Sequence, residues 1–436
     1  MKILMLTWEY PPNIVGGIAR VVHDLSKKLV EKGHEVHVIT YQEGNLKAEE
    51  NDEGVYVHRV KNYMINPNSF TEWIMQLNFC MTERAISLIN KTGKFDLIHA
   101  HDWLSMYSAK TLKHGFDIPI TATIHATENG RQKGIHNDLQ RYINDAEWLL
   151  SYEAQNIICN SYFMKSEIQR LFGVPYEKVD VIPNGINVNK FDGIEKDMEF
   201  RRNYAADNEK IIFFAGRLVP EKGVNVLLDA YMKIREQYHD VKIVIAGKGP
   251  MLEEWKQKAY DMGIGDKVYF TGLLNDKQIT KMYKVIDVAV FPSTYEPFGI
   301  VALEGMLSGT PTVVSDAGGL NEIIRHGIDG MKSYAGNANS LADSILEILF
   351  NQQLADQIVN CAVKKIKVSY NWDLITDKTV KIYEKTIGDR PSVQESVAEH
   401  IEEDIKETVK RRGRKPKMAI PELEKGVDFG GVNAYA

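Results

Sequence analysis

Two carboxylates, Glu296 and Glu304, stand eight positions apart in FPSTYEPFGIVALEGMLSG, which begins at Phe291. The apolar run DVAVFPS before them reads as a strand, and IVALEGMLSG reads as a helix starting near Gly299. Glu296 then lies in the loop at the carboxyl end of a strand, and Glu304 about one turn inside the helix. The backbone N–H groups of Gly299, Ile300 and Val301 are free at such a helix start, and together with the helix dipole they form an anion site. Gly299 has no side chain, so a phosphate can come close to the backbone, and Phe298 borders the same loop. One carboxylate can accept hydrogen bonds from sugar hydroxyls and the other from a ribose diol, with a diphosphate on the helix tip between them. Either acid alone reads more simply as a turn or surface residue. The pair within one strand-loop-helix frame favours the binding reading.

Other loops carry compatible chemistry. AGRLVPEKG places Arg217 and Lys222 just after a strand, where two cations suit a departing diphosphate. A solvated loop is the plain alternative. Gly16 and Gly17 open a helix after the first strand and suit phosphate approach, or equally a turn needed for packing. They are not a dinucleotide fingerprint, since NIVGGIAR lacks the first glycine and no strand-end acid follows about 20 residues on. The loop around Gly247 and Gly249 follows the next strand and could touch a base or phosphate. HAHDW brings His99, His101 and Asp102 to one strand end, and TIHAT brings His125 to the next. No Cys or carboxylate cluster at ligand spacing supports a metal there. His125 could hydrogen-bond a sugar hydroxyl or be a satisfied core histidine.

The elements that must carry these residues recur along the chain. KILMLTW (from Lys2), EVHVIT (from Glu35), VYVHRV (from Val55), FDLIHA (from Phe95) and PITATIH (from Pro119) read as strands. Helical patterns lie between them, including Ile18 to Lys32, with Gly33 where a terminating glycine belongs, and Thr71 to Asn90. The series restarts with IIFFAG (from Ile211), VKIVIAG, KVYFTG, DVAVFPS and PTVVSD. The polar, turn-rich stretch from Ile182 to Lys210 reads as a linker. Strand-helix alternation predicts parallel sheets with right-handed crossovers. The expectation is an α/β protein of two doubly wound domains, with ligands in a cleft at the carboxyl ends of both sheets. A helix from Trp372 to Thr386 follows, and its own pattern does not say where it packs.

Composition narrows the class. At 436 residues, 44% hydrophobic and 26% charged, the chain can bury two cores, and its net charge of −6 excludes a molecule that is basic overall. Three scattered cysteines argue for a reducing compartment. The N-terminus lacks a secretory h-region, and no run approaches a membrane span. The reading is cytoplasmic. Beyond Gly388, Val393, Val397, Ile401, Ile405 and Val409 form a narrow stripe, followed by KRRGRKPK. That segment reads as a short helix and a disordered, solvated tail, with a nucleic-acid contact as the sharper alternative.

Taken together, Phe291 to Glu304, Arg217 to Gly223, Gly16-Gly17 and HAHDW resemble the retaining nucleotide-sugar glycosyltransferases of the GT-B architecture. The similarity is greatest to the glycogen and starch synthase-like group and spans Met1 to about Gly388. It implies two Rossmann-like domains: an acceptor-side domain over 1–190 and a nucleotide-sugar domain over 191–370. A helix over 371–388 would cross back onto the first domain, and 389–436 falls outside the resemblance. It implies that Glu296 contacts donor-sugar hydroxyls, Glu304 binds the ribose, and Arg217 and Lys222 hold the diphosphate under the Gly16-Gly17 loop. His125 would help position the sugar and Asp102 would lie on the acceptor side. The donor-binding set also takes in Gly247, Gly249, Phe298, Gly299, Ile300 and Val301. The family's reaction retains anomeric configuration without metal or cofactor, by front-face displacement.

Two departures stand out. Ile14 occupies the position of a lysine in bacterial glycogen synthases, and Glu221 replaces a glutamine before Lys222. The insert ENGRQKGIHND, Glu128 to Asp138, follows His125 and faces the acceptor side in this scheme. The leading expectation is a hexosyltransferase that moves glucose from a nucleoside diphosphate sugar to an α-glucan. A lipid or cell-envelope glycan acceptor and a sugar-nucleotide epimerase are the competing expectations. Donor base, sugar, acceptor and oligomeric state stay open.

Overall fold

The computed structural model describes residues 1–64 and 67–388. The expected helix and basic tail over 389–436 lie outside the described residues. Two sheets organise the rest. The first has eight strands: β1 (Lys2–Leu6), β2 (Glu35–Tyr41), β3 (Glu49–Asp52), β4 (Val55–Val60), β5 (Leu97–His101), β6 (Ile120–Ile124), β7 (Asn156–Cys159) and β8 (Val179–Val181). Their order is β3-β4-β2-β1-β5-β6-β7-β8, and the ladder is parallel except where β3 meets β4. The second has six parallel strands: β9 (Lys210–Ala215), β10 (Val241–Ala246), β11 (Val268–Gly272), β12 (Val288–Phe291), β13 (Thr312–Ser315) and β14 (Met331–Ser333). Their order is β11-β10-β9-β12-β13-β14.

All ten expected strands are present, and both sheets are doubly wound. β1, β5 and β6 are buried along nearly their whole length, as strands covered on both faces must be. Four strands went unread in the sequence. β3 is EEND, an exposed antiparallel edge with no apolar alternation, and β7, β8 and β14 are only three or four residues long. Pairing with a neighbour makes these strands, not their own pattern.

The helix Gly17–Glu31 buries Ala19, Val22, Leu25, Ser26 and Leu29, a stripe at helical spacing. It ends as the sequence indicates. Gly33 has φ 85° and donates to Val30 O at 2.9 Å, while His34 donates to Leu29 O at 3.0 Å, a paired closure of the last turn.

The final helix, Trp372–Gly388, lies on the first lobe. Trp372 Nε1 donates to Asp24 Oδ2 at 3.0 Å, Lys32 pairs with Asp377 at 2.6 Å, and Tyr383 Oη meets His99 Nδ1 at 2.7 Å. The chain returns to the first lobe beside its outward path. Ile186 N–H donates to Tyr370 O at 2.8 Å, and a methyl group on Gly185 would stand 2.5 Å from the Trp372 ring.

Strand order decides where a ligand can sit. In the first sheet the winding reverses between β1 and β5, and in the second between β9 and β12. Crevices open at the carboxyl ends of strands at such switch points. The loops after β1, β5, β9 and β12 carry Gly16-Gly17, Asp102, Arg217 with Lys222, and Glu296.

Candidate active site

The loops after β9 and β12 are built against each other. Gly223 has φ 69°, and a side chain there would put its Cβ 1.9 Å from Pro292 O, so only glycine lets the loops touch. Thr294 N–H donates to Glu221 O at 2.7 Å. This contact brings Lys222 Nζ to 2.6 Å from Glu296 Oε2, and Ser293 Oγ donates to the same oxygen at 3.2 Å. Glu296 is buried. Burying a carboxylate is costly without a cation or hydrogen-bond donors beside it, and here it has both. Glu296 Oε1 has no hydrogen-bond partner among the described residues. Arg217 lies at the mouth of the same loop, half-exposed, 3.8 Å from Glu221.

Glu304 occupies a second buried position. The helix Ile300–Leu307 starts at Gly299, whose φ of 111° and contact with Leu320 leave no room for a side chain. One turn in, Glu304 Oε1 is bonded by Lys190 Nζ from the linker and lies 3.5 Å from Arg20 Nη1 of the first lobe. Arg20 also pairs with Asp276 at 2.6 Å. Lys190, Arg20 and Asp276 escaped the sequence reading. They lie 114, 284 and 28 positions from Glu304, and none belongs to a motif.

The glycine loop of the first lobe faces that helix. A methyl group on Gly17 would stand 3.4 Å from Ile300 Cδ1. The amides of Val15 and Gly16 donate to Glu9 Oε2 at 2.5 and 2.9 Å, so a protein carboxylate already sits at this helix start. Burial raises the Glu9 pKa, and those two amides partly oppose the shift. Glu9, too, was not singled out from sequence. Gly247 and Gly249 pack on the chain itself: added side chains would stand 1.8 Å from Gly216 O and 2.2 Å from Leu218 O.

The histidine strand ends gather behind this cleft. Asp102 has φ 56°, unusual for a residue with a side chain, and its Oδ1 accepts the His125 N–H at 2.7 Å. His125 Nε2 meets His101 Nδ1 at 3.1 Å, so one ring donates and the other accepts. Burial lowers the pKa of both, and that of His99 to about 3, keeping the rings neutral. His99 is spoken for by Thr123 and Tyr383. Glu147, another residue without a sequence signal, is pushed up to about 8 by burial while accepting the Glu128 N–H at 2.9 Å. Among the described residues no three His, Cys, Asp or Glu side chains converge as metal ligands.

Two paired carboxylates of the second lobe, Glu296 with Lys222 and Glu304 with Lys190 and Arg20, thus stand in one loop and in the helix that follows it. The profile of the Glycosyl transferases group 1 family matches residues 195–365, and that of Glycosyltransferase Family 4 matches residues 15–190. An uncharacterised glycosyltransferase of Methanocaldococcus jannaschii is 42% identical over 388 residues, which is 88% of this chain and 98% of that one. The chain belongs to the group 1 glycosyltransferases. Glycogen synthase of Mycobacterium tuberculosis is 31% identical over 400 residues, covering 88% of this glycosyltransferase and 94% of its relative. Among solved structures, sucrose-phosphate synthase from Thermosynechococcus elongatus overlays with a TM-score of 0.77 at 21% identity, covering 89% of this chain and 100% of the other. HepE of Anabaena, crystallised with UDP-glucose, overlays with a TM-score of 0.72 at 21% identity, over 88% and 100% of the two chains. The glycosyltransferase thus has the GT-B fold expected from its motifs, and it is a nucleotide-sugar enzyme. No helix among the described residues is long and apolar enough to cross a membrane.

Proposed function

We propose that this glycosyltransferase moves glucose from a nucleoside diphosphate sugar to the end of an α-glucan, with retention of anomeric configuration. The observation that carries the reading is the Lys222–Glu296 contact of 2.6 Å at the switch point of the second sheet. It places a cation and a carboxylate side by side where a sugar diphosphate would straddle them. The similarity to a glycogen synthase along nearly the whole chain supports glucose and a glucan.

In this reading Arg217 and Lys222 receive the diphosphate and neutralise the charge that grows as the anomeric C–O bond breaks. The Gly16-Gly17 turn, its Gly16 amide held by Glu9, closes over the phosphates from the first lobe, and the amides of Gly299, Ile300 and Val301 approach them from the second, with Phe298 beside them. Gly247 and Gly249 shape the wall on the nucleotide side. Glu304 takes the ribose. Glu296 accepts hydroxyls of the donor sugar through Oε1 and opposes the positive charge at the anomeric carbon. The acceptor hydroxyl attacks from the face the diphosphate leaves, and its proton passes to the departing phosphate oxygen. His125 is neutral and held by Asp102 and His101, so it orients a sugar hydroxyl without taking the proton. Asp102 holds the strand end on the acceptor side. The chemistry needs no metal and no cofactor.

The test is a matrix of UDP-, ADP- and GDP-sugars against maltooligosaccharides, with the product anomer read by NMR. Turnover of a glucosyl donor to an α-linked product is expected. An inverted product, transfer only to lipid acceptors, or release of free sugar and nucleotide irrespective of acceptor would each replace this reading.

A further inference from the structure

Glu296 is flanked by two residues that both reach across to the first lobe. On one side, Tyr295 Oη donates to Glu167 Oε1 at 2.8 Å and lies 3.7 Å from Met164 Sδ. On the other, Pro297 O accepts from Ser161 Oγ at 2.7 Å. The Tyr295 side chain is buried in a hole whose floor is Gly130, where even a methyl group would come within 2.3 Å of the phenol oxygen. Thr127 Oγ1 donates to the same Glu167 oxygen at 2.6 Å, and the Phe163 ring meets Tyr295 edge-on at 5.9 Å. Gly130 belongs to the short helix Glu128–Gln132, in the insert that follows His125.

The fit is a knob in a hole, with the knob one residue from Glu296. Every one of these partners comes from the first lobe, whereas Lys222 and Ser293, which hold the Glu296 carboxylate, come from the second. The second lobe also holds the Glu296 backbone, through the Gly319 N–H that donates to Glu296 O at 2.8 Å. We propose that Tyr295 is a positioning residue: seated against Gly130 and Glu167, it adds the first-lobe contact that fixes the final position of Glu296 when the lobes are closed. The acceptor-side insert thereby controls how closely the donor-side carboxylate is held in place. This deepens the proposed function, on which it rests. It makes closure the step that tightens Glu296 into its catalytic position, so that a donor bound to separated lobes meets a looser site. Closure that completes a catalytic constellation guards a reactive donor against water.

The experiment compares Tyr295→Ala, Tyr295→Phe and Gly130→Ala by three readouts. These are kcat for sugar transfer, Kd for the free nucleoside diphosphate, and the radius of gyration from solution scattering with and without that nucleotide. A misplacement of about 1 Å at a reacting group costs roughly 10²-fold in rate. Tyr295→Ala is expected to lower kcat by about that factor while Kd stays within about twofold of wild type. Tyr295→Phe keeps the knob and loses only the bond to Glu167, so its loss should be smaller. Gly130→Ala, in the other lobe, should reproduce the Tyr295→Ala signature and enlarge the radius of gyration. Wild-type kcat in Tyr295→Ala overturns the proposal. So does a Kd that rises as far as kcat falls, or a Gly130→Ala envelope identical to wild type. Failure of the wild type to bind any nucleoside diphosphate sinks the functional reading instead, and the scattering comparison still decides whether the hole holds the lobes together.

Discussion

Arg20 Nη1, on the first helix of the chain, lies 3.5 Å from Glu304 Oε1, on a helix of the opposite lobe. Lys190, in the linker between the sheets, bonds the same oxygen. One buried carboxylate thus joins three parts of the chain. The two cations are not equal, since the Lys190 side chain is 19% exposed and that of Arg20 is 40%. Lys190→Met should therefore cost about 1.5–3 kcal/mol of stability, the range for a lost hydrogen bond to a charged group. Arg20→Met should cost about 0–1 kcal/mol, as solvent-screened pairs do. Urea denaturation of both variants checks the order, and a reversed order would remove Lys190 as the principal partner.

Nucleotide binding should be visible without turnover. At 100 times its dissociation constant a ligand adds about 2.7 kcal/mol to the stability of the folded state. The one among UDP, ADP and GDP that matches the donor should raise the melting temperature accordingly. If none of them does so at millimolar concentration, the nucleotide-sugar site is not where Lys222 and Glu296 meet.

The two carboxylates should respond differently to loss of charge. Glu296→Gln keeps the side chain's shape but removes the charge facing the anomeric centre, and should lower turnover about 10²–10³-fold with little change in nucleotide affinity. Glu304→Gln removes a contact made equally in ground and transition states, so it should mainly raise the donor KM. Lys222→Ala should resemble Glu296→Gln in turnover. It should also destabilise the fold, because Glu296 is left buried with only Ser293 beside it. Steady-state kinetics on variants shown folded by circular dichroism separates the three, and wild-type turnover in Glu296→Gln ends its catalytic role.

Stability should fall on both sides of a mildly acidic optimum. The Glu147 pKa rises from 4.5 to about 8 on folding, so between these values the folded protein holds a proton that the unfolded chain has released. Stability is then lost as pH climbs from about 5 towards 8, at up to about 1.4 kcal/mol per pH unit. Glu147→Gln should flatten that limb. The buried His99 works the other way. Its pKa drops from 6.5 to about 3, so the unfolded chain takes up a proton first and stability is lost as pH falls below 6.5. Denaturation curves from pH 4 to 9 test both, and an unchanged alkaline limb in Glu147→Gln would clear Glu147 of the effect.

The sequence by itself determined the repeating units of this fold and the chemistry carried in its loops. Near-continuous apolar runs such as KILML and VKIVIA bury both faces, so they declare themselves as interior strands wherever they end up. Glu296, Lys222 and Gly299 were legible because each belongs to a local strand-loop-helix frame whose geometry follows from the residues within it. Local frames could not say which loops would face one another. Strand order decided that, by setting β9 beside β12 and β1 beside β5. Glu9, Arg20 and Lys190 acquired their roles only from partners that folding brings close, and the hole at Gly130 exists only against Tyr295 from the other lobe. The last helix shows the same division. Its amphipathic pattern was plain, but its docking site came from Asp24, Lys32 and His99, more than 280 positions away, and no local period encodes a contact between surfaces that meet only in the closed tertiary structure.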